Sequence, residues 1–155
     1  MATDLLDSHR SRRVKILNSQ AEVERTIRNP QPGPKTILLV EDEAFVRRLA
    51  AEVLESAGYI LMIARSAAEA LEACRRGSEP VDLLLADVVM PGMSGRELAA
   101  EFENFYPSAQ VLLMSGYPEQ LALCELSACA QKCLAKPFSV GLLLQRVREM
   151  LKVDV

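Results

Sequence analysis

Long apolar runs are missing from this chain of 155 residues. Nothing approaches the roughly 18 consecutive apolar residues of a membrane helix, and no charged-then-apolar leader opens the sequence. A membrane span and a signal peptide are therefore not expected, and the expected compartment is the cytoplasm. Histidine is nearly absent: His9 stands alone, far from Cys74, Cys124, Cys129 and Cys133. Cys129 and Cys133 have helical-face spacing, but without a C-x-x-C pair or a nearby histidine a zinc site is not expected. Buried free thiols are the default reading. A core of this size buries well over half of the unfolded chain's surface, so folding needs neither a disulfide nor a metal staple. Internal repeats and low-complexity tracts are also lacking.

Half of the residues are apolar and a quarter charged, with 50% and 25% by count. That is the profile of one ordinary globular domain with a short appendage. The charge is uneven. Residues 1–35 carry seven Lys/Arg against four acids, whereas the remainder carries eleven against seventeen. An acidic body argues against nucleic acid as a direct partner. The basic arm could meet an anionic surface, although solvated charge is the commoner reason for such a stretch.

Asn29-Pro30-Gln31-Pro32-Gly33-Pro34 cannot continue a helix and reads as a semi-rigid linker. This gives a basic, potentially helical arm at 1–28, a linker at 29–34, a folded domain at 35–152 and a tail at 153–155. Beyond the linker, short apolar runs alternate with helical stretches. Strands are predicted at Ile37–Val40, Ile60–Ala64, Val81–Ala86, Val111–Met114 and Cys133–Ala135. Helices are predicted from Glu43 to Ala57, Ser66 to Gly77, Ser94 to Asn104, Pro118 to Leu126 and Ser139 to Leu151. Ser66-x-x-Glu69 reads as a capping box. Strands apolar on both faces belong to a parallel sheet covered by helices on each side, and right-handed crossovers make it an α/β, doubly wound five-stranded sandwich.

Ligands bind such sheets beyond the carboxyl ends of the strands, where strand order reverses. The first strand runs into Glu41-Asp42-Glu43, the third ends at Asp87, the fourth at Ser115 and the fifth at Lys136. Taken singly, Asp42 or Glu43 could be a helix N-cap, Ser115 a turn residue and Lys136 surface charge. Asp87 is different, because apolar residues flank it on both sides and a buried lone carboxylate is costly. Together the set is chemically coherent. Asp42 and Asp87, with Glu41 as an open third, crowd negative charge suited to Mg2+, which takes one or two carboxylates and keeps waters or phosphate oxygens. Asp87 can attack phosphorus to give an acyl phosphate, and Lys136 offsets charge on the phosphoryl oxygens. An opposite-charge contact is worth about 4 kcal/mol at an effective dielectric near 20.

The blocks Ile37-Leu-Leu-Val-Glu-Asp-Glu43, Asp87-Val-Val-Met-Pro-Gly-Met-Ser-Gly95, Met114-Ser-Gly-Tyr117 and Lys136-Pro-Phe138 resemble the signature blocks of response-regulator receiver domains. Asp87 follows Asp42 by 45 residues, Ser115 follows after 28 more and Lys136 after 21 more, in the family's order. The resemblance covers about residues 35–152 and implies a flavodoxin-like sheet of order 2-1-3-4-5. It implies Asp87 as phosphoacceptor, Glu41 and Asp42 as the acid pair for Mg2+, and the Val89 backbone carbonyl as a further ligand. Ser115 would be the switch hydroxyl and Lys136 the phosphate-binding lysine, with a cis Lys136-Pro137 bond. A histidine kinase or phosphotransfer protein would be the phosphoryl donor. A downstream protein would read the face formed by the fourth helix, fifth strand and fifth helix, and homodimerisation stays open. The domain would assist its own phosphorylation without being a multiple-turnover enzyme. Only Lys152 to Val155 follow the last helix, so output is expected through noncovalent partners, the basic arm, or a kinase from which the chain was cut.

Three departures stand out. Cys133 occupies the place of the family's usual aromatic switch residue, so the readout is expected to differ. Gly116 stands where alanine is frequent. Val89 and Tyr117 flank the site where polar side chains in some relatives orient attacking water, which predicts slow hydrolysis of the acyl phosphate. Two other functions are weighed beside the switch. A magnesium-dependent aspartyl phosphatase would need an acid two residues after its nucleophile, where Val89 stands. A pseudo-receiver, a protein-binding module with a dead site, is opposed by Asp42, Asp87, Ser115 and Lys136 all being present.

Overall fold

The apolar runs form strands because residues buried on both faces leave no polar side for solvent. A computed structural model of the chain describes residues 33–77, 79–126 and 132–152, without the side chains of 124–126. The basic arm, most of the linker, Cys129 and the tail lie outside the described residues. In chain order the elements are β1 (Thr36–Val40), α1 (Ala44–Ser56), β2 (Ile60–Ala64), α2 (Ala67–Arg76) and β3 (Leu83–Asp87). They continue with α3 (Gly95–Phe105), β4 (Gln110–Ser115), α4 (Pro118–Leu126), β5 (Cys133–Ala135) and α5 (Val140–Leu151). All strand pairs are parallel, and the sheet order is β2-β1-β3-β4-β5. The flavodoxin-like doubly wound sandwich is thus observed.

The alternation along β1 divides the core. Ile37 and Leu39 face Ala50 and Leu54 of α1 together with Leu143 and Val147 of α5. Leu38 and Val40 face Ala70 and Leu71 of α2 and Leu98 and Phe102 of α3. Each of the Leu, Ile, Val and Phe side chains taken fully from water contributes roughly 1.5–3 kcal/mol. Helix α4 lies against β4 and β5. At the end of the sheet away from the carboxylates, Asp82 accepts from the Thr36 amide at 2.8 Å and from Lys35 at 3.1 Å, tying the start of β1 to the start of β3.

The caps differ from the sequence reading in one respect. Ser66 accepts from the Glu69 amide at 3.1 Å, but the Glu69 carboxylate turns to the Arg65 amide at 2.8 Å and does not complete a box. The full capping box is at Ser94 and Glu97, which open α3. Cys74 is a buried free thiol, as expected. Cys133 is not: it is disulfide-bonded, while half-buried beside the α2–α3 core.

Candidate functional site

Parallel strands all deliver their carboxyl ends to one edge, and β1 and β3 are the neighbours between which the strand order reverses. That adjacency brings Glu41, Asp42 and Asp87 together: one carboxylate oxygen from each lies within 4.8 Å of the others. Glu41 is fully buried and Asp87 nearly so, at 0% and 8% exposure, whereas Asp42 is open to solvent. Lys136, just beyond β5, reaches across. Its Nζ donates to Glu41 Oε2 at 2.6 Å and to Asp87 Oδ2 at 3.0 Å. The remaining oxygens are also held, Glu41 Oε1 by the Glu43 amide at 3.1 Å and Asp87 Oδ1 by the Val89 amide at 3.2 Å. The Lys136-Pro137 bond is cis.

Burial pushes the Glu41 carboxyl up to about 7, against the downward pull of the Lys136 and Glu43 hydrogen bonds, and the nearby Asp87 charge adds to the rise. For Lys136, burial acts downward, but hydrogen bonds and charge from Glu41 and Asp87 outweigh it and lift the ammonium above its ordinary value. A single ammonium thus serves two carboxylates, with a third beside them. Three oxygen donors carrying surplus negative charge fit a hard divalent cation, so Glu41, Asp42 and Asp87 could hold one.

Ser115 is buried at the end of β4, and its Oγ accepts from the Tyr117 amide at 3.1 Å. Its backbone carbonyl accepts from the Lys136 amide at 2.8 Å, tying the hydroxyl strand to the lysine strand. A cleft of about 680 Å³ opens over Asp42, Asp87 and Lys136, walled by Val89 and Tyr117. Both walls are exposed, at 45% and 56%. The sequence-predicted residues Glu41, Asp42, Asp87, Ser115 and Lys136 therefore gather at one sheet edge. Glu43 is the N-cap of α1 by position, yet its side chain makes no capping bond, and among the described residues the Asp42 carboxylate makes none either. Neither acid caps the helix through its side chain.

Two residues escaped the sequence reading. Gly95 donates to the Val88 carbonyl at 2.9 Å, and a Cβ there would collide with the Asp87 carbonyl oxygen, so only glycine lets α3 start this close to the acid's backbone. Arg47 of α1 folds back to donate from one terminal nitrogen to the carbonyls of Glu41 at 2.9 Å and Asp42 at 3.3 Å. The motif block ending at Gly95 held a signal for the first. A lone helix arginine carries none.

A family model described as the response regulator receiver domain matches residues 37–148. Sensor kinase CckA of Brucella abortus (strain 2308) is 40% identical over 121 residues, 77% of this chain and 13% of that protein. Response regulator receiver protein CpdR of the same strain is 36% identical over 118 residues, 76% of this chain and 97% of CpdR. The chain thus spans a small part of the kinase and nearly all of the receiver protein. Among solved structures, the receiver domain of hybrid histidine kinase CckA matches with a TM-score of 0.64 at 34% identity, over 75% of this chain and 98% of that one. Among the described residues no helix is long and apolar enough to cross a membrane.

Proposed function

The chain belongs to the response regulator receiver family, and we propose that it acts as a signalling switch by accepting a phosphoryl group on Asp87. The observation that carries this reading is Lys136 Nζ lying on both Glu41 and Asp87, with Asp42 within a metal's reach of the pair. Asp42, Asp87 and the Val89 carbonyl would hold Mg2+ directly. Glu41 would shape its charge from behind, since it is fully buried and, unlike Asp42 and Asp87, does not line the cleft. Bound Mg2+ supplies positive charge to the phosphoryl oxygens as they pass between leaving group and carboxylate.

An Asp87 carboxylate oxygen attacks phosphorus, the bond from phosphorus to the donor's imidazole nitrogen breaks, and the imidazole leaves with that electron pair. Lys136 shifts from the Asp87 carboxylate to a phosphoryl oxygen. Ser115 has accepted from Tyr117 but still has its own proton to donate, so its hydroxyl turns toward the same group once it arrives. These residues position and neutralise, which is how the domain assists its own phosphorylation. The donor is a histidine kinase or phosphotransfer protein, and the face of α4, β5 and α5 passes the change to a downstream protein. Cys133 in β5 replaces the usual ring, so that readout runs through a different side chain.

Titration with beryllofluoride and magnesium tests the reading. The two should bind together and move the amide signals of Ser115, Gly116 and Tyr117, and Asp87→Asn should abolish the response. A silent spectrum in the native protein would point to a binding module with a dead site.

A further inference from the structure

We propose that Arg47 is a positioning residue for Asp42, fixing the loop from which that acid reaches a divalent cation. The inference rests on the reading of Asp42 as a metal ligand. The three acids are not held alike. Glu41 is fixed through both carboxylate oxygens, by Lys136 and the Glu43 amide, and Asp87 by Lys136 and the Val89 amide. Among the described residues the Asp42 carboxylate has no partner, so its place is set by its backbone alone. That backbone is where Arg47 acts, with one terminal nitrogen on the carbonyls of both Glu41 and Asp42.

The location of Arg47 makes a purely solvated role unfavourable. It is the fourth residue of α1, and a cation in the first turn opposes the helix dipole. No acidic residue stands in that first turn and no side chain caps it. Arg47 is half-buried, and among the described residues no carboxylate lies within salt-bridge distance of it. The guanidinium is thus committed to the two carbonyls of the acid pair. Its amide meanwhile donates to the Glu43 carbonyl at 3.0 Å, so helix and loop are joined by backbone and side chain of one residue.

Charge and positioning make opposite predictions, which lets one experiment separate them. If Arg47 acted only as a nearby positive charge, its removal would tighten Mg2+. If it positions the loop, losing the guanidinium's reach to both carbonyls loosens Asp42 and weakens Mg2+, whether or not charge is retained. Arg47→Gln and Arg47→Lys should each weaken Mg2+ by about three- to tenfold, the equivalent of one net hydrogen bond. The measurement is a Mg2+ titration followed by amide shifts, with melting temperature as a check on folding and Asp42→Asn as reference. In the metal-free variants the amides of Glu43 and of residue 47, which donate to the Glu41 carboxylate and the Glu43 carbonyl, should also exchange with solvent faster than in the native protein. Mg2+ binding tightened or unchanged in Arg47→Gln, or native exchange rates at those amides, overturns the proposal while Asp42→Asn still weakens binding. If Asp42→Asn itself leaves Mg2+ affinity unchanged, the reading of Asp42 as a ligand fails, and the role of Arg47 fails with it.

Discussion

Replacing Lys136 by methionine keeps the bulk of the side chain and removes the one cation shared by two acids. The native ammonium lies 2.6 Å from Glu41 and 3.0 Å from Asp87, with its side chain 17% exposed. Breaking a buried pair by deleting one partner ordinarily costs about 3–5 kcal/mol, because the other charge is stranded. Glu41 has an escape, since it can take a proton. Its folded value stands near 7 against an ordinary 4.5, so the native state already binds this proton more tightly than the unfolded chain. A raised carboxyl destabilises the fold as pH climbs from the unfolded value through the folded one. In the variant the folded value moves higher still, so Glu41 stays protonated over a range where the native protein has ionised. Protonation therefore caps the Glu41 share of the loss at about 1.4 kcal/mol per pH unit above 7, or about 2 kcal/mol at about pH 8.5. At about pH 6 both proteins hold Glu41 neutral, and the difference should fall to about 1 kcal/mol, from Asp87 pairing and stem packing. Urea unfolding of metal-free protein at both pH values measures this. A stability gap that is flat with pH, or that widens toward acid, would refute the shared-cation account.

Two further substitutions probe the walls of the site. Val89→Asn places an amide where an apolar side chain now faces the cleft, and it should shorten the acyl phosphate lifetime severalfold, timed by phosphate release; an unchanged lifetime rejects a role for Val89 in excluding or misorienting water. Gly95→Ala puts a methyl against the Asp87 carbonyl, and the overpacking should cost about 1–3 kcal/mol in urea unfolding. A neutral result there would mean that the start of α3 can withdraw from Asp87 without penalty.

The fold was legible because its signals were local and repeated. Ile60–Ala64, Cys133–Ala135 and Pro118–Leu126 appear with the predicted bounds, since apolar runs and proline punctuation fix such elements over a few residues. Strand β3 starts later and ends later than predicted, at Leu83 and Asp87, because Val81 is apolar while Asp82 turns to Lys35 and Thr36. Ser66-x-x-Glu69 and Ser94-x-x-Glu97 have the same spacing, and only the competing Arg65 amide keeps the first from closing a box. In the site, Asp87 was legible as an acid among apolar neighbours. Arg47 was not, because a guanidinium turned back on loop carbonyls has the same sequence context as one in solvent. The state of Cys133 depends on which thiol lies near it in space, and cysteine spacing leaves that open.

The central claim is tested most directly by labelling with acetyl phosphate, with and without magnesium, and mapping the modified residue by mass. A single phosphoryl group on Asp87, formed only when magnesium is present, is the predicted result. Label on another residue, or equal labelling of Asp87 after magnesium is removed, would contradict it.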